Sequence, residues 1–260
     1  MNIDIPFIES NTATFLGAVV TSIGTLDPTA AIHVRNWERA VTMVAGKRYP
    51  FNHVGGVCTR STIAQIAADY PTTIAPFAIE CAPVCQTAQD LIAFREIGLT
   101  PRSSSTVLIY AVATASPRIA ESNLVWSPSE SQEVSTDYVA SDAERVVRRA
   151  YGSQADATIV SLLHSDGIIA SAGVRIAQGY AFCFGAWVAP HRRRRGHYAT
   201  LLDARLWYAR EQGCHTVVIQ THTRTAVAHA ARERGFIDGW ERQRWIATAQ
   251  RPQPDSEEEA

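Results

Sequence analysis

The chain has no run approaching the roughly 20 consecutive apolar residues that a membrane-spanning helix requires, which excludes a helical membrane protein. Its opening, MNIDIPFIES, lacks both a basic start and a long apolar core, so no signal peptide is evident and a soluble cytoplasmic protein is expected. Charge of neither sign is in excess. Lys and Arg number 24 against 25 Asp and Glu, a formal net charge of -1. A protein whose whole surface bound nucleic acid would be more basic. Cysteine is sparse and odd in number: the 5 thiols are Cys58, Cys81, Cys85, Cys183 and Cys214, with no paired C-x-x-C spacing. That excludes a disulfide framework and gives no zinc site, so structural or incidental thiols and no metal are expected. Both common nucleotide loops are missing too, the G-x-x-x-x-G-K-[ST] and the G-x-G-x-x-G.

What is present is ordinary globular composition, 46% hydrophobic and 19% charged over 260 residues, enough for one large domain or two small ones. Two halves are legible. In the first, NWERAVTMVAG, RSTIAQIAADY and TAQDLIAFREIGL read as helices, and PFAIECAP and SSTVLIYAVA as strands. A Ser-, Pro- and Glu-rich stretch from Thr114 to Asp137 reads as the connection, although SNLVWS within it has the pattern of a first strand of the second half. Ser141 and Glu144 form a capping box that starts a helix running to about Tyr151. ATIVSLLH and GIIASAGVRIA are strands joined by a turn at Asp166–Gly167. YAFCFGAWVA is apolar on both faces, the pattern of a strand buried on both sides. Ala199, Leu202, Leu206 and Ala209 mark a helical core stripe, and Gly213 stops that helix. HTVVIQT is a strand, TAVAHAARERGF a short helix and WERQRWIA a closing strand, followed by an acidic tail expected to be disordered. AFREIGL and AARERGF end their helices alike, in Gly and a large apolar residue, a weak hint of duplication.

One short stretch carries the chemistry. VAPHRRRRGHYATLLDA places four arginines, Arg192 to Arg195, between a buried strand and a helix that begins near Tyr198. Amides at a helix start have no internal partners, and the helix dipole adds positive charge, so such a turn binds anions, pyrophosphate among them. Gly196 lets the backbone approach oxygens without a Cβ in the way. Arginines beside it supply charge-assisted bonds. Pro190 has no N–H to give the sheet and frees the strand's end. Gly55 and Gly56 have no basic neighbour and read as a turn or a close-packing site.

On these residues the second half resembles the GCN5-related N-acetyltransferase (GNAT) superfamily. The family's loop reads V-x-P-x-x-R-x-x-G-x-[G/A], and here stand Val188, Pro190, Arg193 and Gly196, with Tyr198 where Gly or Ala is usual. The Tyr198 ring must therefore point away from the phosphates. ATLLDA and the later ARERGF match the family as well, so the likeness covers roughly residues 123–247. PFNHVGGV, PFAIECAP and LIAFREIGLTP are similar to the first half of tandem GNAT proteins, in which a degenerate domain precedes the active one. The resemblance implies an α/β fold of two tandem GNAT domains, each a mixed, mostly antiparallel sheet flanked by helices. It implies a degenerate domain at 1–113, a linker at 114–122, a catalytic domain at 123–247 and a tail at 248–260, with one coenzyme A site per chain. Its expected contacts are Trp187, Val188, Arg193, Arg194, Arg195, Gly196, His197, Tyr198, Ala199 and Thr200.

The reaction implied is transfer of an acetyl or other acyl group from acyl-CoA, with acetyl-CoA as co-substrate, to a primary amine of a small molecule. The Val188 amide would polarise the thioester carbonyl. The family's tyrosine acid is missing, because its position is Ala231, and the strand before the loop carries no carboxylate base. His222 and His229 are the candidate substitutes, beside deprotonation through water. A nucleophilic Cys183 is the weaker reading beside an inert thiol, and Trp187 and Trp245 pack core or line a pocket. The alternatives are a non-catalytic CoA-binding sensor, suggested by the missing acid and base, and an acyltransferase drawing on a carrier-protein thioester. The sequence does not fix the oligomeric state. Neither nucleic acid nor membrane is an expected partner.

Overall fold

A computed structural model describes residues 3–112, 123–127, 141–165 and 167–247. The expected linker, the turn residue Asp166 and the acidic tail lie outside the described residues. The first half runs α1 (Ile5–Leu26), β1 (His33–Asn36), β2 (Ala40–Val44), β3 (Asn52–Gly56), α2 (Arg60–Asp69), β4 (Ala78–Cys81), α3 (Ala88–Glu96) and β5 (Leu99–Ala111). The second runs β6 (Leu124–Ser127), α4 (Asp142–Gly152), β7 (Ala157–His164), β8 (Gly167–Ala177), β9 (Tyr180–Val188), α5 (His197–Glu211), β10 (Thr216–Thr221), α6 (Ala226–Arg232) and β11 (Ile237–Ala247).

The first half departs from the sequence reading at several elements, with β1 and β3 among those not read there. NWERAVTMVAG is not a helix. Its centre is the strand β2, with all five residues buried. Ala40 and Val44 point into the core under α2 and α3, and Val41 and Met43 into the core under α1. A strand covered on both faces has no polar face, so its apolar run mimics a buried helix segment. The helix α1 was not anticipated. It carries threonines, valines and isoleucines of low helix propensity and buries residues on several sides against the sheet and α4. Its signal is local: Asp4 caps it by accepting from the Phe7 amide at 2.9 Å, and Pro6 sits in the first turn.

The eleven strands of the described residues form one sheet, in the order β1-β2-β3-β4-β11-β5-β10-β9-β8-β7-β6. The halves repeat the same course. β3 leads through α2 to the parallel β4, and β9 leads through α5 to the parallel β10. Then α3 turns at Gly98 (φ 80°) into β5, and α6 turns at Gly235 (φ 85°) into β11. The last strands are exchanged at the seam. β5 of the first half pairs antiparallel with β10 of the second, β11 pairs antiparallel with β4 of the first, and the two pair with each other. Both α1 and α4 pack on one face of the sheet, while α2, α3, α5 and α6 cover the other. The two tandem sheets are thus fused into one, and the face under α1 and α4 carries side chains from both halves at its centre.

Candidate active site

The loop that follows β9 has an unusual backbone. Arg194 has φ 62° and Gly196 φ 84°, both in the left-handed region. Gly196 is the N-cap of α5, which starts at His197, and no side chain caps this helix. A Cβ on Gly196 would meet nothing within 4 Å. Glycine is thus suited here by its φ, and the space above it is open. Thr200 donates to the Gly196 carbonyl at 3.1 Å, closing the first turn. Among the described residues the amides of Arg194, Arg195, Gly196, Tyr198 and Ala199 meet no protein acceptor, and Arg194 and Arg195 make no ion pair. The Tyr198 ring is half-buried with the Arg205 guanidinium 5.7 Å from its centroid, and burial pushes its hydroxyl pKa up.

The corresponding turn in the first half is filled by protein. Arg60, the first residue of α2, donates its amide to Asp90 Oδ1 at 2.5 Å. Thr59, the residue before it, donates its amide to Thr62 Oγ1 at 3.3 Å. Asp90 Oδ2 takes the Thr87 amide and hydroxyl at 2.8 and 2.7 Å. A carboxylate of the chain itself therefore occupies the anion position at the start of α2. Gly55 and Gly56 serve close packing: a Cβ on Gly56 would lie 2.5 Å from the Arg39 carbonyl.

Strands β9 and β10 separate. Their ladder runs from Tyr180 opposite Thr216 to Cys183 opposite Ile219 and stops. Beyond it β9 bends at a bulge, where the register with β8 slips between Phe184 and Trp187, and Gly185 adopts φ 59°. Nothing in the sequence reading singled out Gly185, although an isolated glycine in an apolar strand is the usual mark of a bulge. The bend also explains why β9 is buried only over its first half. Ala189 donates to the Ile169 carbonyl at 2.9 Å, so the neighbouring pair Val188–Ala170 is the non-hydrogen-bonded kind. The Val188 N–H and C=O thus face away from β8, toward the gap, and Arg193 Nε donates to that carbonyl at 3.2 Å.

The gap opens into a cleft of about 540 Å³ between α1, α4 and the sheet seam. One wall is apolar, with Phe15, Tyr151 and Phe184 in mutual ring contact at 4.8 to 6.0 Å. The opposite wall is polar and comes from β3, β4, β11 and β10. Arg242, 3% exposed, donates to Glu9 Oε2 at 2.9 Å, lies 3.7 Å from Glu80 and bonds Gln220. Gln220 Nε2 donates to Glu80 Oε1 at 2.6 Å and to Ser105 Oγ at 3.1 Å. His53 Nε2 stands 3.8 Å from Glu80 Oε2. Burial depresses the His53 pKa to about 4, so the ring is neutral at pH 7. Burial lifts the Glu80 carboxyl, and the surrounding charges outweigh it and hold it below 4.5. Arg242, the Gln220 bond and Arg244 each favour the ionised form of Glu80.

Of the residues singled out in the sequence, His222 and Cys183 line this cleft, His222 at its exposed mouth just past β10. His229 does not. It stands exposed on α6, 3.2 Å from Glu233. Trp187 to Thr200 form the end of β9, the loop and the start of α5, and none of them is among the residues that line the cleft. Cys183 lines the cleft, but burial pushes its thiol pKa up, away from the thiolate. Trp245 is core, edge-on to Phe94 at 5.5 Å. Ala231 is fully buried under the same core as α5. The sequence reading missed His53, Glu80, Arg242 and Arg244, each ordinary in its own stretch and joined only by strand pairing. Among the described residues no cluster could hold a metal ion, and no helix is long and apolar enough to cross a membrane.

Residues 123–236 match the acetyltransferase (GNAT) family. Solved structures resemble nearly the whole chain. A GCN5-related N-acetyltransferase from Kribbella flavida is 13% identical with TM-score 0.58, over 94% of this chain and 96% of that one. A tandem GNAT protein from the clavulanic acid biosynthesis pathway is 13% identical with TM-score 0.57, over 90% and 89%. A GNAT-family protein described as an acetyltransferase, from Novosphingobium aromaticivorans, is 12% identical with TM-score 0.53, over 90% and 99%. No curated protein sequence matches this one. Residues 123–236 thus carry the acetyltransferase (GNAT) family match, and the fold of most of the chain is like that of GNAT proteins, a tandem one among them.

Proposed function

We propose that the protein is an N-acyltransferase that moves an acetyl or other acyl group from acyl-CoA to a primary amine of a small molecule. The donor's pyrophosphate lies on the turn from Arg193 to Thr200, and its pantetheine arm enters the gap between β9 and β10. The acyl carbonyl then meets the Val188 N–H, which faces that gap. The amine comes from the cleft and attacks the carbonyl carbon. A C–N bond forms, the C–S bond breaks, the nitrogen gives up a proton, and the thiolate of coenzyme A takes one. Residues 1–113 serve as the far wall of the acceptor cleft.

The observation that carries this reading is the contrast between the two helix starts. Asp90 fills the one at α2, whereas the one at α5 presents uncommitted amides and two unpaired arginines. One donor site per chain follows. Titration calorimetry with acetyl-CoA checks this by stoichiometry, expected at one per chain. Release of free thiol over a panel of amines checks the transfer. Binding without turnover on any amine would instead favour a non-catalytic CoA sensor, the reading suggested by the apolar β9 and by Ala231. Turnover that requires an acylated carrier protein would move the donor to that class.

A further inference from the structure

The acyltransferase reading leaves open what kind of amine enters the cleft, and the polar wall bears on that question. Its charges can be paired off one by one. Arg242 is held by Glu9 at 2.9 Å. Arg175, at the rim, is held by Asp156 and by Asn11 Oδ1. Glu80 shares Arg242 with Glu9, at 3.7 Å, which leaves one carboxylate in excess over that arginine, and Arg244 has no carboxylate of its own among the described residues. Glu80 and Arg244 are cross-strand partners on β4 and β11, yet no ion pair joins them. Arg244 bonds only the Asn52 carbonyl, at 3.3 Å, and among the described residues it has no carboxylate partner. Beside them His53, 7% exposed, keeps a buried Nδ1 with no hydrogen-bond partner. A neutral imidazole can accept from an ammonium or donate to a carboxylate, according to its tautomer.

The half-buried Arg244 guanidinium in the cleft has no counter-ion among the described residues, and a buried imidazole nitrogen left unpaired is costly in a folded chain unless a ligand completes it. We infer that the acceptor is an aminocarboxylate, a small molecule carrying both an amine and a carboxylate, with its carboxylate on Arg244 and its ammonium drawn in by Glu80. Arg244 lies on the last strand of the second half and Glu80 on a strand of the first, so the strand exchange at the seam creates the recognition site. Arg244 acts on specificity and takes no part in the bond changes. This inference rests on the acyltransferase reading and adds the acceptor class to it.

The test uses the full chain with acetyl-CoA and acceptors in matched pairs: glycine, β-alanine and γ-aminobutyrate against n-alkylamines of equal length, and lysine against 1,5-diaminopentane. The aminocarboxylate of each reacting pair should be favoured in kcat/KM by about tenfold or more, the scale of one charged hydrogen bond. Arg244→Gln should collapse that ratio toward one, chiefly through the acceptor KM, and Arg244→Lys should restore part of it. Calorimetry with acetyl-CoA on each variant reports whether the donor site is intact. Preference for the carboxylate-free amines would overturn the inference while leaving the acyltransferase reading standing. So would an Arg244→Gln variant that binds acetyl-CoA normally and keeps the wild-type ratio. Should Arg244→Gln not fold, the wild-type ratios and Arg244→Lys still decide. Failure of the chain to bind acetyl-CoA at all would overturn both.

Discussion

Gly196→Asp separates backbone strain from ligand loss. Gly196 caps α5 at φ 84° with open space where its Cβ would lie. An aspartate there meets no steric clash and costs only the left-handed penalty, about 1 kcal/mol for a residue type that tolerates this region. Its carboxylate, however, stands where the pyrophosphate would sit. A like charge about 4 Å away costs about 1 kcal/mol in water and about 4 kcal/mol at an effective dielectric constant near 20. At 1.4 kcal/mol per decade, that weakens coenzyme A binding by roughly fivefold to a thousandfold. Gly213 provides the control. It ends the same helix at φ 67°, and a Cβ there also meets nothing within 4 Å. Gly213→Asp carries the same kind of strain without placing a charge near the loop. The assay is calorimetric titration of coenzyme A into both variants, with urea melts to compare stability. Similar melts and a loss of affinity confined to Gly196→Asp are expected. Equal affinity in the two variants would refute the placement of the diphosphate on this turn.

Three further outcomes concern the scaffold. Asp90→Ala removes the carboxylate that accepts from Thr87 and Arg60 and should cost about 1–3 kcal/mol at pH 7, read as a lower urea midpoint. Burial raises the Asp90 pKa, and the bonds from Thr87 and Arg60 outweigh it, leaving the pKa below 3.8. The contribution is therefore full above that value and lost as pH falls through the lower folded value, so the gap between wild type and variant should shrink in acid. Glu9→Ala leaves Arg242 buried with its nearest carboxylate at 3.7 Å and should cost about 3–5 kcal/mol in the same melts. His53 is neutral in the folded chain and titrates near 6.5 when unfolded, so it should make the fold less stable as pH drops from 6.5 toward 4. Replacing His53 by Gln should flatten that slope in pH-dependent unfolding curves.

The loop was legible in the sequence because its physics is local. Val188, Pro190, Arg193 and Gly196 lie within nine residues, between a strand and a helix whose patterns are strong. The matching helix endings at Gly98 and Gly235 were legible for the same reason and mark the repeated course of the two halves. The cleft was not legible. His53, Glu80, Gln220 and Arg244 lie on four strands spread over 192 residues, and strand exchange at the seam brings them together. Neither spacing nor composition encodes a swapped strand. The miss at β2 has a different cause. With cores on both faces, its residues lost the alternation that tells a strand from a helix. His229 was a candidate by residue type alone, and its position on the exposed side of α6 removes it from the cleft.

The most direct test is a crystal structure of the chain grown with coenzyme A. The expected density has one ligand per chain, its diphosphate within hydrogen-bond distance of the Gly196, Tyr198 and Ala199 amides and its thiol in the gap between β9 and β10. A ligand bound instead at the start of α2, or α5 amides found bonded to protein oxygens, would contradict it.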